Sequence, residues 1–292
     1  MSDNKLVNII RDAANRIQAS CGLRLPEARL EAELLAAHCL AQQRSYVFSH
    51  SDLILDSEQL GTFGCLVAQR CEGYPLAYIT GVVEFWSLPF KVDHRVLIPR
   101  ADTELLVETA LTLPLACDAV VADLGTGSGA IAIALATERP SWRLIAVDLS
   151  ADAIAVAADN ALRISNAKTR AGSLVSFVNG HWLDAFSACS LDLLIANPPY
   201  IEVSDPHLQG DGVRYEPAMA LSSGEAGLDD IEQIICQARS RLKPGGFILL
   251  EHGYRQSDEV VNLLAADGFE KISVLYDLAQ IARGVLAKKK LS

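Results

Sequence analysis

The sequence has no long hydrophobic run, no paired-cysteine motif and no surplus of positive charge, and each absence removes a class of function. No apolar stretch approaches the ~18–20 residues that cross a bilayer, so no association with a membrane is expected. The 7 cysteines, Cys21, Cys39, Cys65, Cys71, Cys117, Cys189 and Cys236, are scattered and form no C-x-x-C. They read as reduced thiols in a cytoplasmic protein. The 6 histidines are equally dispersed, so no metal centre is expected. A net charge of −11 argues against a sequence-independent nucleic-acid binder, which needs a basic footprint. The opening MSDNKLVNIIRD is polar and mixed in charge, unlike a signal or transit peptide. No internal repeat and no low-complexity segment stands out.

What remains is an ordinary globular composition: 292 residues, 50% hydrophobic and 21% charged, enough for one large domain or two smaller ones. Residues 1–73 read as a helical docking domain. Leu6, Ile10, Ala13 and Ile17 share one helix face, and Pro26 opens a second helix with Leu30, Leu34, Ala37 and Leu40 inward. Ser57–Arg70 is a third helix. Residues 74–95 read as a linker built on a β-hairpin, Glu84-Phe85-Trp86 and Leu88–Val92 with Ser87 near the turn. Residues 96–292 form the catalytic domain. There Asp102 or Thr103 is expected to cap the helix that follows. From Ala119 onward strands and helices alternate, the pattern of a doubly wound sheet, with further strands expected at Leu174–Val178 and Phe247–Glu251 and a helix at Ser257–Ala266. Helix Leu228–Leu242 closes at Pro244-Gly245-Gly246. The last two strands, Phe269–Tyr276 and Gly284–Lys288, are joined too closely for a crossover and should be antiparallel.

The chemistry concentrates in Leu191–Tyr200, LDLLIANPPY. Its apolar run suits a strand buried on both faces. Two prolines then end the ladder, so Asn197-Pro198-Pro199-Tyr200 stands stiffly beyond the strand's carboxyl end, where open α/β sheets bind ligands. An amide or aromatic-amine NH2 is a poor nucleophile because its lone pair is delocalised. The Asn197 side-chain carbonyl and the Pro198 backbone carbonyl are two acceptors able to hold such a group. They would aim its nitrogen at an electrophile and stabilise the charge that develops, with Tyr200 stacked on its plane.

A second signal is Gly125-Thr126-Gly127-Ser128-Gly129, between the strand Ala119–Leu124 and the helix Ala130–Glu138. Asp148 lies at the tip of the next strand. Strand, glycine loop, helix and acid together point to an adenosine-bearing ligand, the acid accepting both ribose hydroxyls. The loop alone does not separate NAD from S-adenosyl-L-methionine. The tetrapeptide does, because it orients an amino group and has no evident use in hydride transfer.

With these residues in hand the chain resembles the seven-strand S-adenosyl-L-methionine-dependent methyltransferases, a Rossmann-like α/β class. Within that class it is similar to the HemK/PrmC family, the protein-(glutamine-N5) methyltransferases of peptide chain release factors. The resemblance rests on Gly73–Gly81, Glu84-Phe85-Trp86, Leu97-Ile98-Pro99-Arg100 with Asp102-Thr103-Glu104, Asp123–Ile131, Asn197–Ile201, Tyr215-Glu216-Pro217 and Gly246–His252. It implies transfer of a methyl group from S-adenosyl-L-methionine to the glutamine side-chain nitrogen in the Gly-Gly-Gln motif of class 1 release factors. It also implies that Gly125, Thr126, Gly127, Ser128, Gly129 and Asp148 hold the cofactor and that Trp182 packs beside the adenine. Asn197, Pro198, Pro199 and Tyr200 would hold the glutamine, with Asn197 bordering the cofactor as well. The chain departs from the family at Ala101, usually a second proline, and at His181, commonly an acid. Two other readings compete: an adenine-N6 methyltransferase on nucleic acid, which uses the same tetrapeptide, and a non-catalytic adapter that keeps the fold.

Overall fold

Residues 4–168, 175–210 and 212–291 are described in a computed structural model. The chain divides into two units, Met1–Val82 with Gln209–Tyr215, and Val83–Leu208 with Glu216–Ser292.

The first unit is helical: α1 (Leu6–Cys21), α2 (Leu25–Cys39), α3 (Arg44–Ser49), α4 (Ser57–Cys71) and α5 (Leu76–Thr80). Leu6, Ile10, Ala13 and Ile17 are buried, the face that their spacing predicts. The inward face of α2 differs from expectation. Ala28, Ala32, Leu35 and Ala36 are buried there, whereas Leu30 is exposed and Leu34 half-buried. Three of the four buried residues are alanines, and with Leu35 they join the core that α1 supplies with Leu6, Ile10, Ala13, Ala14 and Ile17.

The second unit begins with the hairpin β1 (Val82–Phe85) and β2 (Leu88–Lys91). Trp86 and Ser87 both take positive φ, 53° and 56°, as a two-residue type I′ turn requires. The elements α6 (Glu104–Thr112), β3 (Val120–Leu124), α7 (Ala130–Glu138), β4 (Arg143–Asp148), α8 (Ala151–Lys168), β5 (Val175–Asn179) and β6 (Leu191–Ala196) follow. After a long loop come α9 (Asp229–Arg241), β7 (Leu242–Glu251), α10 (Ser257–Ala266), β8 (Phe269–Tyr276) and β9 (Ala282–Lys289). Leu174, expected to start β5, lies outside the described residues.

The main sheet has 7 strands in the order β5-β4-β3-β6-β7-β9-β8. β9 pairs antiparallel with both β7 and β8, as the short connection requires. Strand β6 is central and its residues alternate between two cores. Leu193 and Ile195 face α6, α7 and the hairpin, while Leu191, Leu194 and Ala196 face α9 and α10. Helix α7 is buried at every residue from Ala130 to Ala136, which explains its unbroken apolar run. Strand β7 starts earlier than expected, at Leu242. Leu191 pairs with Leu242 and Leu193 with Phe247, so Pro244-Gly245-Gly246 bulges out of the ladder rather than ending the helix.

The order reverses at β3, and β3, β4 and β6 present their carboxyl ends together. Such a switch point opens a crevice between adjacent loops.

Candidate active site

Beyond those carboxyl ends lies a cavity of about 310 Å³, lined by Gly125, Gly127, Asp148, Trp182, Asn197 and Pro199 among others. Thr126, Ser128 and Gly129 form the loop behind this wall. Pro198 is buried and Tyr200 half-buried beside it. The expected residues thus occupy one place, though not all face the cavity.

The glycine loop follows β3 directly and turns tightly. Gly125 and Gly129 have φ of 69° and 84°, a region that side chains rarely adopt. A Cβ on Gly125 would stand 3.3 Å from Trp182 Cζ3, so the bare backbone admits the indole. A Cβ on Gly129 would stand 2.8 Å from Ile133 Cδ1 and 3.1 Å from Ala157 Cβ. Its absence lets α8 close on the loop. The Thr126 hydroxyl is already committed, donating to Asp123 Oδ2 at 2.6 Å.

Asp148 fastens this loop. Its Oδ2 accepts the Gly127 N–H at 2.8 Å and its Oδ1 accepts the Ser150 N–H at 2.9 Å. Each oxygen keeps a second lone pair, and the residue lines the cavity. Burial pushes its carboxyl above the usual range, opposed by the two backbone donors. Asp123, almost fully buried, is pushed up to about 6 by desolvation, and its Oδ1 has no hydrogen-bond partner. An adenosine-bearing ligand fits these observations. The loop offers bare backbone, Asp148 offers two free acceptor positions, and Trp182 offers an aromatic face.

Asn197 follows β6. Its Nδ2 donates to Thr103 Oγ1 at 3.1 Å, which leaves Oδ1 without a hydrogen-bond partner among the described residues. Thr103 stands at the N-cap of α6, one of the two positions expected there, but its side chain makes no capping hydrogen bond. Behind Thr103 sits Glu251, at the end of β7 and 3% exposed. Burial pushes its carboxyl up to about 7, with the neighbouring Thr103 hydroxyl opposing the rise and Asp102 adding to it, and its Oε2 has no hydrogen-bond partner. The Tyr200 hydroxyl donates to Glu251 Oε1 over a long 3.4 Å. Burial, and the Glu251 charge after it, raise the phenol well above its ordinary value.

Sequence reasoning missed several supports. Asn160, fully buried in α8, donates through Nδ2 to Ser128 O at 2.9 Å and to Lys91 O at 3.0 Å, and accepts from Lys91 N at 2.7 Å. Glu216 accepts from Ile98 N at 3.0 Å and pairs with Arg100, which fixes Leu97–Arg100. Asp230 accepts from Trp182 Nε1 at 3.2 Å and lines the cavity. It puts a carboxylate beside the indole although position 181 is a histidine. Glu216 and Glu251 did lie inside the quoted motifs, but a motif does not say what its members touch. Among the described residues there is no group of three potential metal ligands, and no helix long and apolar enough to cross a membrane.

A doubly wound sheet with one antiparallel strand, a glycine loop and an acid at its switch point defines a class I methyltransferase. Residues 101–209 match the methyltransferase small domain, and residues 8–81 match the PrmC N-terminal domain. The chain belongs to the release factor glutamine methyltransferase family. It is 46% identical to the release factor glutamine methyltransferase of Pseudomonas aeruginosa, over 87% of this chain and 90% of that one. The Shewanella oneidensis relative is 42% identical over 89% of each chain. The Escherichia coli relative is 38% identical over 96% of this chain and 97% of that one. Among solved structures, a methyltransferase from Pyrococcus furiosus shares the fold, with a TM-score of 0.51 at 15% identity over 70% of this chain and 89% of that one.

Proposed function

We propose that this protein methylates the side-chain amide nitrogen of the glutamine in the Gly-Gly-Gln motif of class 1 release factors, with S-adenosyl-L-methionine as donor. Release factors act on ribosomes, so the reaction is assigned to the cytoplasm. The observation that carries the reading is the seating of Asn197 on the wall of the cofactor cavity. Its NH2 is held by Thr103, so a carbonyl oxygen is offered to the substrate.

When bound, S-adenosyl-L-methionine supplies an electrophilic methyl group on a sulfonium. Gly125–Gly129 and Asp148 would hold it through backbone donors and the two ribose hydroxyls, and Trp182 would cover the adenine. The Asn197 side-chain oxygen and the Pro198 carbonyl accept the two N–H bonds of the glutamine amide. Amide resonance is strong, with a rotation barrier of ~18–20 kcal/mol, so the free nitrogen has little basicity. Two acceptors aimed at its hydrogens draw charge onto the nitrogen and stabilise the positive charge it gains. Tyr200, anchored through Glu251, limits rotation of the amide plane. Transfer would leave S-adenosylhomocysteine and a cationic N-methylated amide, a strong acid that releases its extra proton to water without a dedicated base.

The relatives' names favour glutamine over adenine as acceptor. The test is methyl transfer from labelled S-adenosyl-L-methionine to a purified release factor, beside its Gln→Ala tip variant and bulk DNA. Label on the wild-type factor alone supports the reading. Label on DNA, or on neither substrate, discards it.

A further inference from the structure

The order of the strands says which end of the cavity receives the base. Strands β3, β4 and β5 are adjacent, and Asp148 at the end of β4 pairs with Asn179 at the end of β5. A nucleoside with its ribose on Asp148 and its tail at the glycine loop after β3 carries its base over the segment that follows β5, about 4.8 Å further along the sheet. That segment is Gly180-His181-Trp182, and all three residues line the cavity. Trp182 offers an apolar face but no hydrogen bond, because its single donor, Nε1–H, is spent on Asp230 Oδ1 at 3.2 Å. Asp230 lies in the first turn of α9 and lines the same cavity. The indole fixes one of its oxygens, and its backbone N–H is held by Ser223 Oγ at 2.9 Å. Its Oδ2 accepts no hydrogen bond among the described residues. A carboxylate therefore stands beside the aromatic face with accepting capacity to spare and no hydrogen to give. His181 borders the same end, but its Nδ1 meets Gln233 Nε2 at 3.4 Å and Asp184 Oδ2 at 3.8 Å, so it is engaged by its own neighbours.

We infer that Asp230 accepts a hydrogen bond from the exocyclic amino group of the cofactor's adenine and is the residue that selects adenosine over a nucleoside with oxygen at that position. The inference rests on the cofactor reading above and is independent of which group is methylated. Adenine turns an NH2 donor toward this wall, which a carboxylate satisfies. Hypoxanthine turns a carbonyl oxygen there, which a carboxylate repels. Trp182 supplies stacking to either base, and through its N–H it holds the carboxylate that tells them apart.

The experiment measures Kd by calorimetry on the full chain for S-adenosylhomocysteine and for S-inosylhomocysteine, in which oxygen replaces the amino group. No methyl acceptor is needed. The wild type should bind the adenosine compound roughly 100-fold more tightly, because the inosine compound forfeits a hydrogen bond to a charged group and sets oxygen against it. In D230N the side-chain oxygen still accepts from Trp182 and the NH2 is turned to the base. Adenine then meets a donor with a donor, hypoxanthine gains a partner, and the preference should fall below about 10-fold. D230A removes the acceptor without offering a donor, so its preference should also fall below about 10-fold, whatever the seating of the D230N amide. H181A should keep the wild-type preference. A wild-type preference retained in D230N or D230A would overturn the inference, even where both ligands bind more weakly, since a merely structural role weakens them in proportion. A preference lost in H181A assigns the base to His181 and overturns it too. Wild-type protein that binds both compounds alike rejects the inference alone, and wild-type protein that binds neither rejects the cofactor reading together with it.

Discussion

Asp148 accepts the Gly127 N–H at 2.8 Å, so the residue proposed to bind the ribose also clasps the glycine loop that receives the rest of the cofactor. Replacing it by asparagine keeps the shape but gives one end of the side chain two hydrogens. That end would face either the Gly127 or the Ser150 N–H, donor against donor. A hydrogen bond to a charged group contributes roughly 1.5–3 kcal/mol, so the Kd of D148N for S-adenosyl-L-methionine should rise by about 10–100-fold. Turnover at saturating cofactor should change far less. Calorimetric titration checks this, and wild-type affinity would remove Asp148 from the cofactor site.

Asn197→Ala removes the acceptor aimed at the substrate amide and leaves the Pro198 carbonyl. Loss of one preorganised polar group costs on the order of 100–1000-fold in turnover. The rate is to be measured at saturating S-adenosyl-L-methionine, so that loosened cofactor does not mimic the effect. Normal turnover with cofactor bound would mean that the amide is held by other groups.

Much of this frame was legible in the sequence, for local reasons. The run Leu191–Ala196 was apolar at five positions, with Asn197 and two prolines after it, and β6 spans that run. Helices α7 and α10 and strand β8 have the expected bounds because their starts and stops are written in neighbouring residues. The supports of the site were not legible, because each is a pairing across distant chain. Thr103 reads as a helix cap from its neighbours, yet its hydroxyl serves Asn197, 94 residues away. Asn160 is one polar residue in an amphipathic helix, and only the approach of β2 and the glycine loop gives it three partners. The inward face of α2 was missed for a different reason. Alanines carry little hydrophobic signal of their own, so the face built from Ala28, Ala32, Leu35 and Ala36 does not stand out from the sequence.

Asn160 offers a stability test separate from the chemistry. It is fully buried, and Asn160→Ala strands the Lys91 N–H and the Ser128 carbonyl without partners. Each stranded buried group costs about 1–3 kcal/mol, so unfolding free energy should drop by roughly 2–5 kcal/mol. Urea unfolding measures it. Because Ser128 lies in the glycine loop, affinity for S-adenosyl-L-methionine should fall as well. A variant as stable as the wild type would show that water replaces the amide without loss.

The raised carboxyl of Glu251 makes a signed prediction about stability. Its folded value is about 7 against 4.5 for an unperturbed glutamate, because burial penalises the ionised form. Between those values the folded chain binds a proton that the unfolded chain has released, so stability falls as pH rises through this window. The contribution is present below about pH 4.5 and gone above about 7. Asp123, raised to about 6 from 3.8, acts in the same direction at slightly lower pH. E251Q removes the first of these costs and leaves the second. Its stability relative to the wild type should therefore improve between pH 5 and 8, by on the order of 3 kcal/mol across the window. Urea unfolding of both proteins at several pH values reads the difference. Parallel curves would mean that Glu251 is already ionised at pH 5, held so by Arg283 and Thr103 against the cost of burial.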